Sequence, residues 1–179
     1  MKSRSKPVLI CLAAVVVILA AFAVYRFLLK PSGQGGEKTA RDFVTELYTV
    51  TPEQYDAYAQ VMLPAAAGSG ETASGMQSLD ADAITAYFTD RFGGYLTEDA
   101  MQTGMANRFL TRGLDLYREA GAATTVQGIE LKPVENAGGD AVYNYTVTVQ
   151  AGDATQTAAG QLVLAHTDKA WKISGINRA

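Results

Sequence analysis

The sequence predicts an α+β fold, in which one N-terminal transmembrane helix is followed by helices packed on a curved four-stranded antiparallel sheet. Three observations predict it. Residues 8–25 form an uncharged apolar run, apolar residues then recur with the helical period of 3.6 as far as about Gly113, and from Thr124 onward the period is two. A block of helices followed by a block of strands is typical of α+β domains, whose helices cover one face of the sheet.

The apolar run from Val8 to Tyr25 predicts a membrane-spanning helix. Its 18 residues carry no charge, and the apolar residues beyond Arg26 extend it to the roughly 20 residues that span a bilayer. We therefore expect a basic tail at residues 1–7, a signal anchor at residues 8–29 that contacts membrane lipid, and a single-pass protein of the cell membrane whose C-terminal domain lies outside the cytoplasm. A cleaved signal peptide, with its site at Ala21-Phe22-Ala23, is the alternative.

Glycine-rich residues 30–36 predict a flexible linker, so the outer α+β domain is expected to occupy residues 37–179. The first helix of this domain is predicted over residues 37–50. Its apolar residues fall at positions i, i+3, i+4, i+7 and i+8, namely Ala40, Phe43, Val44, Leu47 and Tyr48. A capping box formed by Thr51 and Gln54 begins a second helix, predicted over residues 52–63.

Small and polar residues at 64–78 predict a long loop. Asp80 and Asp82 then begin a third helix, and Thr97 caps a fourth. The third helix has the stripe Ile84, Tyr87, Phe88 and Phe92, and the inner face of the fourth has Met101, Met105 and Phe109. We expect Gly113 to end or bend the fourth helix, while residues 113–123 fit either a last helical turn or a loop.

Four strands joined by short turns predict an antiparallel meander. The strands are predicted over residues 124–132, 141–151, 157–166 and 170–177. The second alternates most clearly, with Tyr143, Tyr145, Val147 and Val149 on one face and Asn144, Thr146, Thr148 and Gln150 on the other. One apolar face implies that the preceding helices cover it.

Charge and composition exclude several classes of function. Residues 1–30 hold five Lys/Arg and no Asp/Glu, so residues 31–179 hold ten Lys/Arg and all 18 Asp/Glu, a net charge of −8. This acidic domain argues against nucleic acid as a partner. The single cysteine, Cys11, lies in the apolar run, and the single histidine, His166, ends a predicted strand. We therefore predict no metal site, no cofactor and no catalytic set.

The chain closes on a hairpin that consists of residues 160–164 followed by Ala170-Trp171-Lys172-Ile173-Ser174. This hairpin resembles that of the nuclear transport factor 2-like superfamily of cystatin-like α+β folds, and the opening Ala40-Arg41-Asp42-Phe43 is in keeping with it. The resemblance covers residues 37–177. It implies a cone of helices against a bent sheet, often dimeric through the sheet, in a superfamily of small-molecule isomerases, dehydratases and silent adaptors. A membrane-tethered subset with this layout comprises outer domains of type IV secretion and conjugation assembly factors.

Two functional hypotheses follow. The first is a non-catalytic interaction domain displayed outside the membrane, an assembly component of a cell-envelope or secretion complex with protein partners or a homodimer partner. The second is a domain that binds or transforms a small apolar ligand in a pocket between helices and sheet, with Tyr143, Tyr145 and Arg108 as binding residues. The competing interpretation of these tyrosines is that their rings only fill the core.

Overall fold

The computed structural model describes residues 33–62, 80–134 and 140–178. The predicted anchor at residues 8–29, the first part of the predicted linker and the predicted loop at 64–78 lie outside these ranges. None of the described helices is both long and apolar enough to cross a membrane. The described helices are α1 (Gly33–Tyr48), α2 (Pro52–Met62), α3 (Ala81–Phe92), α4 (Glu98–Ala106) and α5 (Arg112–Ala120), with a 3₁₀-helix (Phe109–Thr111) before α5; the strands are β1 (Thr124–Val134), β2 (Ala141–Ala151), β3 (Ala154–His166) and β4 (Trp171–Arg178).

Helix α1 is the centre of the helical layer. All five residues of its predicted apolar stripe are at most 1 % exposed. The helix begins at Gly33, four residues earlier than predicted, so Gly35 and Gly36 are helical. A Cβ atom at Gly35 would lie 2.9 Å from the Trp171 ring. The Trp171 ring thus leaves no room for a side chain at Gly35, which explains a glycine in a helix despite its low helix propensity.

The predicted starts of α2, α3 and α4 are confirmed by their caps. The Thr51 amide donates to Gln54 Oε1 at 2.9 Å, and the Gln54 amide donates to Thr51 Oγ1 at 3.3 Å. Asp80 caps α3, and Thr97 caps α4 by accepting from the Ala100 amide. These side chains satisfy backbone donors that have no partner within the helix.

The prediction that Gly113 ends or bends the fourth helix is wrong. Helix α4 ends at Ala106, and Gly113 lies in the first turn of α5, where a Cβ atom would be 2.1 Å from the Leu47 carbonyl oxygen. This glycine therefore allows α5 to approach the end of α1. Helix α5 continues to Ala120 and ends at Gly121, which has a left-handed φ of 62°.

The sheet confirms the predicted meander. Its strand order is β1-β2-β3-β4, with antiparallel pairing throughout. The predicted alternation along β2 is also confirmed, because Tyr143, Tyr145, Val147 and Val149 are buried while Asn144 and Thr146 are exposed. Strand β4 is bordered by residues 95–97, since the Ile173 amide donates to the Tyr95 carbonyl and the Thr97 amide donates to the Ile173 carbonyl.

Large side chains fill the space between the helices and the sheet. Phe43, Tyr48, Tyr145, Leu162 and Ile173 are each at most 1 % exposed and belong to one continuous cluster. No buried side-chain nitrogen or oxygen of the described residues lacks a hydrogen-bond partner. The described core is therefore well packed, and its buried polar side-chain atoms are all hydrogen-bonded.

Candidate functional site

An open groove of about 540 Å³ lies among the helices, on the side of α2 and α3. We refer to it as the helical groove. Its lining comes from α2, α3, α4, the 3₁₀-helix and α5, and includes no sheet residue. The lining residues are Tyr55, Tyr58, Ala59, Met62, Ile84, Phe88, Met105, Arg108, Thr111 and Arg118.

The walls of the groove are apolar because α2 leaves its apolar stripe partly uncovered. No residue of α2 is fully buried, although Tyr55, Tyr58, Ala59 and Met62 recur with the same spacing as the buried stripe of α1. The Tyr55 ring stacks on the Tyr117 ring with centroids 4.4 Å apart, and the Tyr58 ring meets Phe88 edge-on at 6.2 Å. These ring contacts hold the wall in place in the absence of complete burial.

One end of the groove is positively charged. Arg118 Nη2 lies 2.9 Å from Asp115 Oδ1, and Arg108 Nη2 lies 3.7 Å from the same oxygen. The two arginine side chains are 68 % (Arg108) and 59 % (Arg118) exposed. Two guanidinium groups thus share one carboxylate, which leaves about one net positive charge at this end.

The carboxylate of Asp115 is fixed by a second contact. The Thr111 hydroxyl lies 2.9 Å from Asp115 Oδ2 and 3.0 Å from the Arg108 carbonyl, so its single proton has two acceptors. Burial, and then the nearby Asp115, raises the pKa of Tyr58 above its usual value. The phenol at this end is therefore neutral at physiological pH and is able to donate a hydrogen bond.

Arg108 is held in an unusual backbone conformation. It has a φ of 59° and is the only non-glycine residue with positive φ among the described residues. The turn is braced by Asn107, whose Oδ1 accepts from the Phe109 amide at 2.9 Å. A left-handed residue with a Cβ atom costs roughly 1–2 kcal/mol. Glycine would fit this position without strain, so the presence of arginine indicates that its side chain has a function.

The structure does not bring the three sequence-predicted site residues together. Arg108 lines the helical groove, whereas Tyr143 and Tyr145 are buried residues of β2 outside its lining. Burial raises the pKa of Tyr143, and the charge of Glu37 raises it further. The predicted binding roles of these residues stay predictions.

Tyr145 belongs to a polar cluster inside the core. Its hydroxyl lies 3.3 Å from the Tyr48 hydroxyl, and Arg112 Nη1 donates to both at 3.3 Å. Gly160 faces the Tyr145 ring so closely that a Cβ atom there would lie 2.7 Å from it. Burial, and then the neighbouring Tyr48, raises the pKa of Tyr145. The cluster serves to satisfy the phenols within a packed core.

Sequence reasoning missed the groove because it expected a pocket between the helices and the sheet, whereas the groove lies among the helices. The available signal was the aromatic and methionine content of α2, which suits an adaptable contact surface as well as a core. The described residues contain no group of three or more His, Cys, Asp or Glu side chains placed to hold a metal ion. His166 is exposed and contacts the Trp171 ring edge-on at 5.1 Å.

Comparisons with family models, with curated proteins and with solved structures found no match to this chain.

Proposed function

We propose that residues 37–179 form a non-catalytic interaction domain, held outside the cell membrane by the anchor at residues 8–29, and that the helical groove binds an apolar helical segment of a partner protein bearing a carboxylate. In this proposal the protein is an assembly component of a cell-envelope or secretion complex. The observation that carries it is the groove, which combines an apolar wall with an excess of positive charge at one end.

The wall suits a helix laid into a groove. Such helices present anchors at i, i+3, i+4 and i+7 to apolar surfaces, and methionine-containing surfaces adapt to them. Met62 and Met105 contribute flexible thioethers, and Ile84 and Phe88 contribute firm contacts. Removal of this apolar surface from water supplies the affinity, at roughly 25 cal/mol per Å² before the costs of association.

The arginine pair supplies orientation. Asp115 is one carboxylate for two guanidinium groups. A carboxylate of the partner that reached Arg108 or Arg118 would give each guanidinium group its own carboxylate. Charge complementarity at a rim contributes more to association rate and specificity than to affinity. The acidic end of the bound segment is therefore expected beside α5.

A second candidate function is the binding of a small amphiphilic ligand that carries a carboxylate. Its support is the volume of the groove, about 540 Å³, which lies within the 300–1,000 Å³ of small-molecule sites. Sites of that kind bury most of the ligand. Here Tyr55, Met62 and Ile84 are only half-buried and both arginines are exposed, so the groove is more open than such sites usually are.

The test is photocrosslinking from Met62 in the full-length protein in its native membrane. A benzophenone amino acid replaces Met62, and mass spectrometry identifies what becomes attached. We expect a peptide from one membrane or envelope protein, with helical apolar spacing and an Asp or Glu near its end. A matched probe at exposed Thr146, on the opposite side of the sheet, should not label that segment.

The other outcomes decide between the candidates. Addition of a small mass to the Met62 probe, without protein, would contradict the interaction proposal and favour the amphiphile. A protein peptide lacking either the apolar spacing or the acidic residue would contradict the groove's assigned chemistry. Equal labelling of one segment from Met62 and Thr146 would show contact unrelated to the groove.

A further inference from the structure

Strand β3 is longer than its neighbour β4, so part of one edge of β3 has no paired strand among the described residues. The β4 strand pairs only with residues 160–166 of β3, while β2 pairs with residues 154–164. Among the described residues, nothing pairs with the outer side of Ala154–Ala159. We call these six residues the free edge.

The free edge lacks the charges and the proline that normally protect sheet edges, and Arg112 covers it only at Ala159. Its sequence, ATQTAA, contains no charge and no proline, and all of its residues except Ala158 are exposed. The β1 edge, in contrast, carries Glu130, Lys132 and Pro133, and Arg41 donates to the Ile129 carbonyl there at 3.0 Å. Charges, proline and covering contacts are the usual defences of an edge against another strand.

Opposite charges lie at the two ends of the free edge. Arg112 Nη1 donates to the Ala159 carbonyl at 3.3 Å, and its guanidinium packs over the Phe109 ring at 4.4 Å. Asp153 directly precedes the other end and is exposed. Neither Arg112 nor Asp153 forms an ion pair with any other described residue. Asp153 is thus available to a cation of a partner. Arg112 is half-buried and its Nη1 already has three acceptors, but no carboxylate of the described residues neutralises its charge.

The hydrogen-bonding direction of the edge fixes how a second strand would fit. The Ala159 carbonyl points outward to Arg112, so the backbone groups of Thr155, Thr157 and Ala159 face outward, because the direction alternates along a strand. In an antiparallel pairing of two identical edges, outward-facing residues must lie opposite each other. A two-fold axis at Gln156 meets this condition and leaves the residues paired with β4 undisturbed.

This register also matches the charges. With Gln156 opposite its own counterpart, Thr155 lies opposite Thr157 of the second copy. Asp153, in the turn just before Ala154, then lies near Ala159 of the second copy. Each Asp153 therefore approaches the Arg112 that is bound to that Ala159 carbonyl. The symmetry forms this ion pair twice.

We propose that a second copy of this chain pairs antiparallel with the free edge, which joins two four-stranded sheets into one of eight strands. The contact is isologous, as expected of a two-fold dimer, and its backbone bonds follow the mode of β-strand addition. It uses a surface distinct from the helical groove, so a dimer leaves both grooves open to their ligands.

The test is disulfide formation by Gln156→Cys in the full-length protein carrying Cys11→Ala. Residues opposite each other in a non-hydrogen-bonded antiparallel pair have Cα atoms about 4.5 Å apart, which is within the range of disulfides. We expect mild oxidation to convert most of the protein to a covalent dimer. Thr146→Cys in the same background, exposed on the face of β2, should remain monomeric; dimerisation through Thr146→Cys alone would indicate packing of sheet faces and overturn the proposal.

Thr157→Pro and Thr157→Val form a matched pair. Thr157 has its amide on the outer side, so proline removes a bond of the dimer without removing a bond to β2. We expect Thr157→Pro to weaken dimerisation at least about tenfold in sedimentation of the detergent-solubilised full chain, while Thr157→Val changes it little. Circular dichroism verifies that both variants fold.

Asp153→Asn tests the ion pair without changing the backbone. Exposed ion pairs contribute about 0.2–1 kcal/mol each, so loss of two should weaken the dimer about twofold to tenfold, with reduced dependence on salt. Dissociation constants that are unchanged in both Asp153→Asn and Thr157→Pro would overturn the proposal. So would a wild-type protein that is strictly monomeric in sedimentation, together with a Gln156→Cys variant that forms no disulfide.

Discussion

Arg108 and Arg112 lie four residues apart and have opposite surroundings. Arg108 is exposed, strained at φ 59° and close to one carboxylate shared with Arg118. Arg112 is half-buried, with its guanidinium over the Phe109 ring and its Nη1 donating to the Tyr48 and Tyr145 hydroxyls. Arg108 thus lines the helical groove, whereas Arg112 supports the core and also contacts the Ala159 end of the free edge.

Replacement of Arg108 by glycine separates stability from binding. Glycine adopts positive φ without strain. The free energy of unfolding of Arg108→Gly should therefore equal that of the wild type or exceed it by up to about 1 kcal/mol. Arg108→Ala removes the same charge but keeps the strained backbone, so it should be the less stable of the two. Both variants should lose partner labelling from the Met62 probe. Urea unfolding of the two variants makes the comparison, and a glycine variant less stable than the alanine variant would contradict the strain at this position.

At the level of helices, the close approach of α5 to α1 determines where the groove lies. Gly113 contacts the Leu47 carbonyl, and Gly104 in α4 packs against the Leu110 side chain. These contacts bring α4, the 3₁₀-helix and α5 together, so that Arg108 and Arg118 reach the same end of the groove. Residue 113 is glycine because the two backbones approach closely there. Glycine is also common at helix ends, so the sequence alone does not distinguish the two causes.

Gly113→Ala should be strongly destabilising. Its Cβ atom would lie 2.1 Å from a backbone oxygen, which cannot move as the end of a side chain can, so α5 must shift away from α1. We expect a loss of about 3 kcal/mol in the free energy of unfolding, at the upper end of the usual overpacking costs. Gly94→Ala is the control, because nothing lies within 4 Å of its Cβ position. Equal melting temperatures of the two variants would contradict the assigned packing.

Local signals predicted the caps and strands well, while long-range packing limited the prediction of the site. Thr51, Asp80 and Thr97 cap by contacts within three residues, and β2 alternates because its two faces meet different surroundings. Helices α1 and α2 have apolar stripes of the same spacing, yet only that of α1 is fully buried. Which stripe is covered depends on elements distant in sequence. Left-handed Arg108 has no local sequence signal at all.

For the molecule as a whole, four buried or half-buried tyrosines predict sensitivity to alkali. Burial raises the pKa of Tyr145, and likewise of Tyr58, Tyr95 and Tyr143. A pKa that is raised in the folded state gives stability that is complete below the unfolded value of about 10 and is lost as pH rises above it. The free energy of unfolding should therefore fall above about pH 10.

Tyr145→Phe tests this pH dependence directly. At pH 7 the variant should lose about 1 kcal/mol, because the hydroxyl's contacts with Tyr48 and Arg112 disappear. Above about pH 10 its free energy of unfolding should fall less steeply than that of the wild type. The two slopes should differ by up to about 1.4 kcal/mol per pH unit. Urea unfolding between pH 7 and 11 measures both effects. Parallel pH profiles for the two proteins would rule out Tyr145 as a source of the decline.

The yield of partner crosslinking from Met62 in the Arg118→Glu variant is the measurement that tests the proposed interaction most directly. Lys132→Glu is the matched control, because it makes the same charge change on an exposed β1 residue outside the groove lining. The account predicts a yield at least about tenfold lower in Arg118→Glu and an unchanged yield in Lys132→Glu. Unchanged crosslinking in Arg118→Glu, or equal losses in both variants, would contradict binding of an acidic apolar segment in the helical groove.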